Sequence, residues 1–123
     1  MLDDDNINAV LCARGGYGKS RIIDLLSFRK FKKKPKWIIG FSDITVLHAH
    51  INRNLHIATL HAPMAAAFND DGYKNEYVLS LKNAIEGKNN IYHSVPHIFN
   101  NMGSARGELI GGNLALVVHV IGT

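Results

Sequence analysis

The sequence predicts an α/β domain with a mostly parallel sheet and flanking helices, and three observations support this. Short apolar runs alternate along the chain with segments of helical periodicity. The runs are nearly continuous in apolar residues, as in strands that are buried on both faces. The chain has 123 residues, of which 46% are hydrophobic and 20% charged, the composition of one modest globular domain.

The first half of the chain contains two strand–helix units. Residues 8–13 form an apolar run that stops at a glycine-rich segment, which predicts a buried strand. Ser20 precedes apolar residues at helical spacing, so residues 20–26 are expected to form a capped amphipathic helix. Residues 37–40 predict a second buried strand, and helical periodicity resumes at once with Ile44, Leu47 and Ile51.

The second half is less regular. Residues 57–60 predict a third strand, and Pro63 follows it. Residues 77–85 have helical spacing and Gly87 is expected to end that helix. Residues 90–95 are a further strand candidate. Together these elements predict a sheet whose parallel strands bring their carboxyl ends, and therefore any ligand site, to one edge.

The composition changes near residue 105, where glycines surround a short apolar stretch and residues 114–121 are almost entirely apolar. We therefore predict a partial N-terminal domain over residues 1–104 and the opening segment of a second domain over residues 105–123. A small parallel sheet with open edges is a poor independent fold. The expectation is that the chain is a piece of a larger protein.

The charge is concentrated in one place. The net charge is +4, and six of the 14 basic residues lie between Arg29 and Lys36. Without them, eight basic residues face ten acidic ones, so no broad basic face for nucleic acid is expected. The basic run is interpreted as a solvated loop that precedes a strand.

Several classes of protein are excluded by what the sequence lacks. Cys12 is the single cysteine, so neither a disulfide framework nor a cysteine metal site is expected. No apolar run approaches the roughly 20 residues of a membrane span. The acidic start of the chain does not resemble a secretory signal, which makes the cytoplasm the expected compartment.

Residues 40–43 (GFSD) follow a predicted strand and precede a predicted helix. A serine on such a sharp turn exposes its hydroxyl at the sheet edge, and the next backbone amide can stabilise an oxyanion, as in the nucleophile elbow of serine hydrolases. The match to G-x-S-x-G is partial, because Ile44 replaces the second glycine. The alternative interpretation is that Ser42 or Asp43 only caps the helix.

Residues 14–18 (RGGYG) contain three glycines, which allow backbone amides to approach a ligand closely. They could complete an oxyanion hole with the amide of Asp43. Residues 13–20 also resemble a phosphate-binding loop that ends in Gly-Lys-Ser, although Ala13 stands where that motif requires glycine. A nucleotide-binding module is therefore the alternative function.

The seven histidines do not suggest a metal site, because none of them forms an H-E-x-x-H motif. Most are interpreted as structural or surface groups. His61 is the exception, since it follows the third predicted strand at the edge where the two loops meet. It is predicted to line the site.

Four segments in this order resemble the LD-carboxypeptidase family, which includes muramoyltetrapeptide carboxypeptidases and microcin-C self-immunity peptidases. They are residues 13–18 (ARGGYG), 39–45 (IGFSDIT), 59–64 (TLHAPM) and 107–114 (GELIGGNL). The resemblance implies that Ser42 is the catalytic nucleophile and that the amides of Asp43 and Gly16 form the oxyanion hole. Gly15, Tyr17 and His61 are then expected to bind substrate.

The resemblance further implies a serine peptidase that releases the terminal D-alanine of murein tetrapeptide in the cytoplasm, without metal or cofactor, commonly as a homodimer. The family's triad also contains a glutamate and a histidine from a C-terminal domain, and no residue here matches them. An unassisted serine is a weak nucleophile, so the chain alone is expected to be inactive. A non-catalytic remnant that binds murein peptides remains a third interpretation.

Overall fold

The computed structural model describes residues 1–69 and 71–122 of the chain. Three short strands form one parallel sheet in the order β1–β2–β3, and they span β1 Ala9–Leu11, β2 Trp37–Gly40 and β3 Leu60–His61. Val10 lies opposite Ile38, and Gly40 lies opposite His61. The predicted α/β fold with a parallel sheet is confirmed, and β2 is its central strand.

The described residues also form four α-helices: α1 Arg29–Lys33, α2 Thr45–Leu55, α3 Glu76–Ile85 and α4 Leu114–His119. The predictions for α2 and α3 are confirmed. The side chain of Asn75 caps α3 by accepting a hydrogen bond from Tyr77 N at 2.8 Å. Gly87 ends this helix in the left-handed conformation, with φ of 72°. Within the described residues, no helix is long and apolar enough to cross a membrane.

The hydrophobic core lies where β2 and α2 pack together. Ile38, Ile44 and Ile51 are fully buried there, and Phe31 of α1 joins them. The predicted apolar spacing of α2 explains this packing, since Ile44 and Ile51 lie on one helical face. Leu47 is only partly buried at the margin of the cluster. The core therefore fixes the helix that begins just after Ser42.

The α-helix predicted for residues 20–26 is wrong. Two 3₁₀ turns occupy that place, Lys19–Arg21 and Ile23–Leu25. Of the apolar residues in the segment only Ile23 is buried, whereas Leu25 is 82% exposed. A helix this short needs tertiary packing to be stable, and one buried side chain supplies too little.

The basic run is also not the solvated loop that its composition predicts. Arg29–Lys33 form α1, because Phe31 within the run is fully buried in the core. Lys36 is only 4% exposed, and its Nζ donates hydrogen bonds to the carbonyls of Asp4 at 2.7 Å and Ile7 at 3.3 Å. Lys36, at the end of the basic run, therefore links the N-terminal residues 4–7 to the start of β2.

The sheet is smaller than the sequence predicts. The third strand is confined to Leu60–His61, and residues 90–95 form no strand. Val95 is 88% exposed, and no neighbouring strand supplies hydrogen-bond partners there. A β-strand needs a neighbouring strand for its backbone hydrogen bonds, so the β propensity of residues 90–95 is not sufficient to form one.

The segment from Glu108 to α4 packs on helix α2. Asn113 N donates to Thr45 Oγ1 at 3.0 Å, and Asn52 Nδ2 donates to Glu108 Oε1 at 2.6 Å. A Cβ atom at Gly112 would lie 2.5 Å from Thr45 Cγ2, so only glycine fits this contact. The predicted domain boundary at residues 104/105 remains a prediction.

Gly40 is expected to tolerate no side chain. A Cβ atom there would lie 2.9 Å from Ile44 Cγ1 and 3.2 Å from Cys12 Cβ. Gly40→Ala is therefore expected to lower the free energy of unfolding by about 1–3 kcal/mol through overpacking. Gly107→Ala is the matched control, because a Cβ at Gly107 meets nothing within 4 Å. Equal stability of both variants in urea unfolding would contradict this account.

Candidate active site

The carboxyl ends of the three strands bring the predicted site residues to one edge of the sheet. The central strand β2 leads into Ser42, and β1 leads into the glycine loop, residues 14–18. On the other side β3 ends at His61, which pairs with Gly40. The site residues predicted from the sequence are therefore neighbours in the fold.

Ser42 stands on a strained turn. Its φ is 60°, a left-handed conformation that non-glycine residues rarely adopt. The preceding Phe41 is extended, and a 3₁₀ turn over Ser42–Ile44 leads directly into α2. This is the strand–turn–helix context of a nucleophile elbow. Ile44, which replaces the glycine of the motif, is accommodated because its side chain packs in the core.

The glycine loop lies directly against the Ser42 side chain. A Cβ atom at Gly15 would be 3.1 Å from Ser42 Cβ and 3.2 Å from Ser42 Oγ. The corresponding position at Gly16 is 3.9 Å from Asp43 Oδ2. The absence of a side chain at Gly15 is thus what allows this close approach, whereas the distance at Gly16 is an ordinary van der Waals contact. An oxyanion hole formed by the Gly16 and Asp43 amides remains a prediction.

An ion pair joins the 3₁₀ turn that follows the glycine loop to the turn that carries Ser42. Lys19 Nζ lies 3.3 Å from Asp43 Oδ2, and the Asp43 side chain is only 5% exposed whereas that of Lys19 is 32% exposed. The carboxylate oxygen has no hydrogen bond among the described residues, so Lys19 is its charge partner. This contact holds the segment after the glycine loop against the turn that carries Ser42.

The structure does not support the alternative of a nucleotide-binding module at residues 13–20. The lysine that it assigns to phosphate is engaged by Asp43. A phosphate-binding loop also places its anion at the N-terminus of a helix, whereas only a 3₁₀ turn of three residues follows Gly18 here. In residues 13–20, Gly15 and Lys19 instead contact the turn that carries Ser42 and Asp43.

Tyr17 lies on the glycine loop, and His61 is the last residue of β3. Tyr17 is 86% exposed, and Arg21 holds its ring through a hydrogen bond to the phenol oxygen at 3.3 Å and by stacking 5.1 Å from the ring centre. The ring of His61 lies 6.4 Å from that of Phe41. A largely apolar groove of about 450 Å³ begins at these two rings, and its other lining residues are Ala62, Pro63, Ala67, Asn75, Tyr77 and Val78.

His48 is a part of this region that the sequence reasoning missed. It is buried on α2, and its Nε2 lies 2.9 Å from the carbonyl oxygen of Gly40. Burial lowers the pKa of His48, the hydrogen bond to Gly40 raises it by less, and nearby His61 lowers it further. A signal existed, because His48 shares the helical face of Ile44 and Ile51 at spacings of four and three residues.

Cys12 lies behind the turn rather than in the site. Its side chain faces Gly40, where a Cβ atom would meet Sγ at 3.3 Å. Burial raises the pKa of the Cys12 thiol, and the charge of Lys19 lowers it by a smaller amount. The thiol is therefore protonated near neutral pH and is not an activated nucleophile.

The described residues do not complete a catalytic triad. In residues 1–69 and 71–122, Ser42 Oγ makes no hydrogen bond to a histidine ring or a carboxylate. No group of three or more potential metal ligands occurs in the same residues. Among the described residues, the edge thus presents the Ser42 hydroxyl without a histidine or carboxylate hydrogen-bonded to it.

The lowered pKa of His48 predicts a pH-dependent stability. The pKa of histidine in an unfolded chain is about 6.5. Below that pH the unfolded chain therefore takes up a proton on His48, whereas the folded chain, in which the pKa of His48 is lowered, takes it up only at lower pH. The contribution of His48 to stability is present above the unfolded pKa and is lost as the pH falls through the folded one. Urea unfolding between pH 7.5 and pH 5.5 is expected to show a smaller loss for His48→Gln than for the wild type. An equal loss would contradict the prediction.

Several known proteins are similar to the chain in sequence. The model of the LD-carboxypeptidase N-terminal domain matches residues 1–62. A probable murein peptide carboxypeptidase of Bacillus subtilis is 38% identical over the whole chain and 40% of its own length. A putative carboxypeptidase of Streptomyces coelicolor is 40% identical over 98% of the chain and 39% of its own length. A murein tetrapeptide carboxypeptidase of Pseudomonas aeruginosa is 31% identical over 99% of the chain and 42% of its own length.

The chain thus spans about two fifths of the length of these curated relatives. The match to the domain model covers the glycine loop, the turn with Ser42 and the strand that ends at His61. These are the elements that meet at the sheet edge. The chain belongs to the LD-carboxypeptidase family.

Proposed function

We propose that the complete gene product is a serine-type LD-carboxypeptidase that releases the terminal D-alanine of murein tetrapeptide. The observation that carries the proposal is the position of Ser42 on a left-handed turn at the end of the central strand, in contact with the glycine loop. The names of two relatives, which include murein peptide and murein tetrapeptide, support the substrate class.

In the proposed reaction, Ser42 Oγ attacks the carbonyl that precedes the terminal D-alanine. The amides of Asp43 and Gly16 stabilise the oxyanion, and the carbon–nitrogen bond then breaks. The serine proton passes through a base to the leaving amine, and water hydrolyses the acyl-enzyme by the reverse transfer. We assign the base and its orienting group to a histidine and a glutamate outside this chain.

Substrate contacts are part of the proposal. We assign these contacts to Gly15, Tyr17 and His61. Gly15 lies against Ser42, and the groove beyond Phe41 and His61 offers apolar surface to the peptide. Arg21 contacts the ring and the phenol oxygen of Tyr17. These contacts restrict the Tyr17 side chain before substrate binds, so binding costs less conformational entropy. A cytoplasmic location and a homodimeric state are further proposals that follow from the family resemblance.

The test is D-alanine release by the complete gene product from L-Ala-γ-D-Glu-meso-diaminopimelate-D-Ala, measured by chromatography. A tetrapeptide that ends in L-alanine is the matched control and is expected to remain intact. Activity is expected to survive a metal chelator, and residues 1–123 alone are expected to show none. Failure of the wild type to release D-alanine, or cleavage of both peptides alike, would overturn the proposal.

A further inference from the structure

The left-handed conformation of Ser42 requires support from its surroundings. A non-glycine residue in this region is strained and persists only where neighbouring contacts hold it. The glycine loop limits movement of the side chain on one side, through the close approach of Gly15 to Ser42. The backbone that enters the turn needs a separate anchor.

That anchor is the carbonyl of Gly40, two residues before Ser42. Its oxygen accepts a hydrogen bond from Ala62 N at 3.1 Å, which ties it to the segment after β3. It also lies 2.9 Å from Nε2 of His48. The second contact comes from helix α2, which begins just after Ser42, so one hydrogen bond closes the backbone from residue 40 to residue 48 into a loop.

The chemistry of this contact determines the state of His48. A carbonyl oxygen can only accept, so Nε2 must carry the hydrogen and donate it. Nδ1 is buried and has no partner among the described residues. A proton on Nδ1 would therefore be left without an acceptor, which favours the neutral Nε2–H tautomer. His48 acts here as a fixed donor and not as a base.

We propose that His48 is a positioning residue for catalysis, which holds the Gly40 carbonyl so that the turn presents Ser42 in its attacking conformation. This inference rests on the proposed serine peptidase activity. The role of His48 depends on the hydrogen bond that Nε2 donates to the Gly40 carbonyl. Substitutions can remove this donor while a side chain of similar size still fills the buried space.

The test uses His48→Gln and His48→Leu in the complete gene product. The terminal amide of glutamine can donate from nearly the position of Nε2, whereas leucine fills the space without a donor. The Leu variant is expected to lose roughly 10- to 100-fold in kcat with KM within about threefold of the wild type, as for a misplaced reacting group. The Gln variant is expected to keep kcat within about threefold. Equal losses in both variants, or full kcat in the Leu variant, would overturn the inference.

Two further measurements, ¹⁵N chemical shifts and crystal structures, test the role of His48 if the kinetic comparison fails. If His48→Leu does not fold, ¹⁵N chemical shifts of the wild-type ring decide, because the Nδ1–H tautomer would refute the proposed donor and the Nε2–H tautomer would support it. If the wild type releases no D-alanine, the proposed function fails by itself. Crystal structures then test His48 independently, since Ser42 is expected to keep a positive φ with glutamine and to lose it with leucine.

Discussion

Ser42→Ala is expected to lower kcat for D-alanine release by about 10⁴-fold or more, because removal of a serine nucleophile leaves only the weak catalysis of the remaining site. The turn itself should survive, since alanine at φ of 60° experiences the same backbone strain as serine. The expected loss is therefore in chemistry and not in folding. Steady-state kinetics together with thermal unfolding of the same preparation measures both.

Two companion variants sharpen this experiment. Ser42→Gly is expected to be equally inactive, yet more stable by about 1 kcal/mol, because glycine adopts the left-handed conformation without strain. Ser27→Ala changes an exposed serine outside the site and is expected to leave kcat unchanged. D-alanine release by Ser42→Ala at a tenth of the wild-type rate would remove Ser42 from its proposed role.

Lys19→Met is expected to destabilise the fold and to disturb the site at the same time. It leaves the buried carboxylate of Asp43 without its charge partner. Breaking a buried ion pair costs about 3–5 kcal/mol, but Lys19 is one-third exposed, so solvent screening reduces the expected loss to about 1–3 kcal/mol. Because the pair joins the segment after the glycine loop to the Ser42 turn, kcat is expected to fall by roughly 10- to 100-fold.

The controls for Lys19 separate charge pairing from other effects. Lys19→Arg retains the positive charge and is expected to keep most of the stability. Adding Asp43→Asn to Lys19→Met removes the unpaired charge, so the double variant is expected to be more stable than Lys19→Met. Lys74→Met breaks an exposed pair with Asp71 and should cost no more than about 0.5 kcal/mol. Equal losses for Lys19→Met and Lys74→Met in urea unfolding would refute this account.

Local patterns in the sequence were sufficient to predict the parallel sheet, helices α2 and α3 and the loops that meet at its edge. This follows because the spacing of apolar residues depends on element type, and glycines mark the places where the chain turns. The same patterns failed at residues 20–26, where helical spacing exists but the apolar residues have no surface to cover. They failed again at Lys36, whose charge suggested solvent but whose Nζ is bound to backbone carbonyls.

The sequence by itself therefore determined the three strands of the sheet, helices α2 and α3, and the placement of Ser42, the glycine loop and His61 at one edge. Only the tertiary structure decided that Lys19 pairs with Asp43, that His48 holds the Gly40 carbonyl and that Gly15 lies against Ser42. The physical reason is distance along the chain. Periodicity and turn chemistry act over a few residues, whereas these contacts join side chains and backbone that meet only after the sheet and helix α2 have packed.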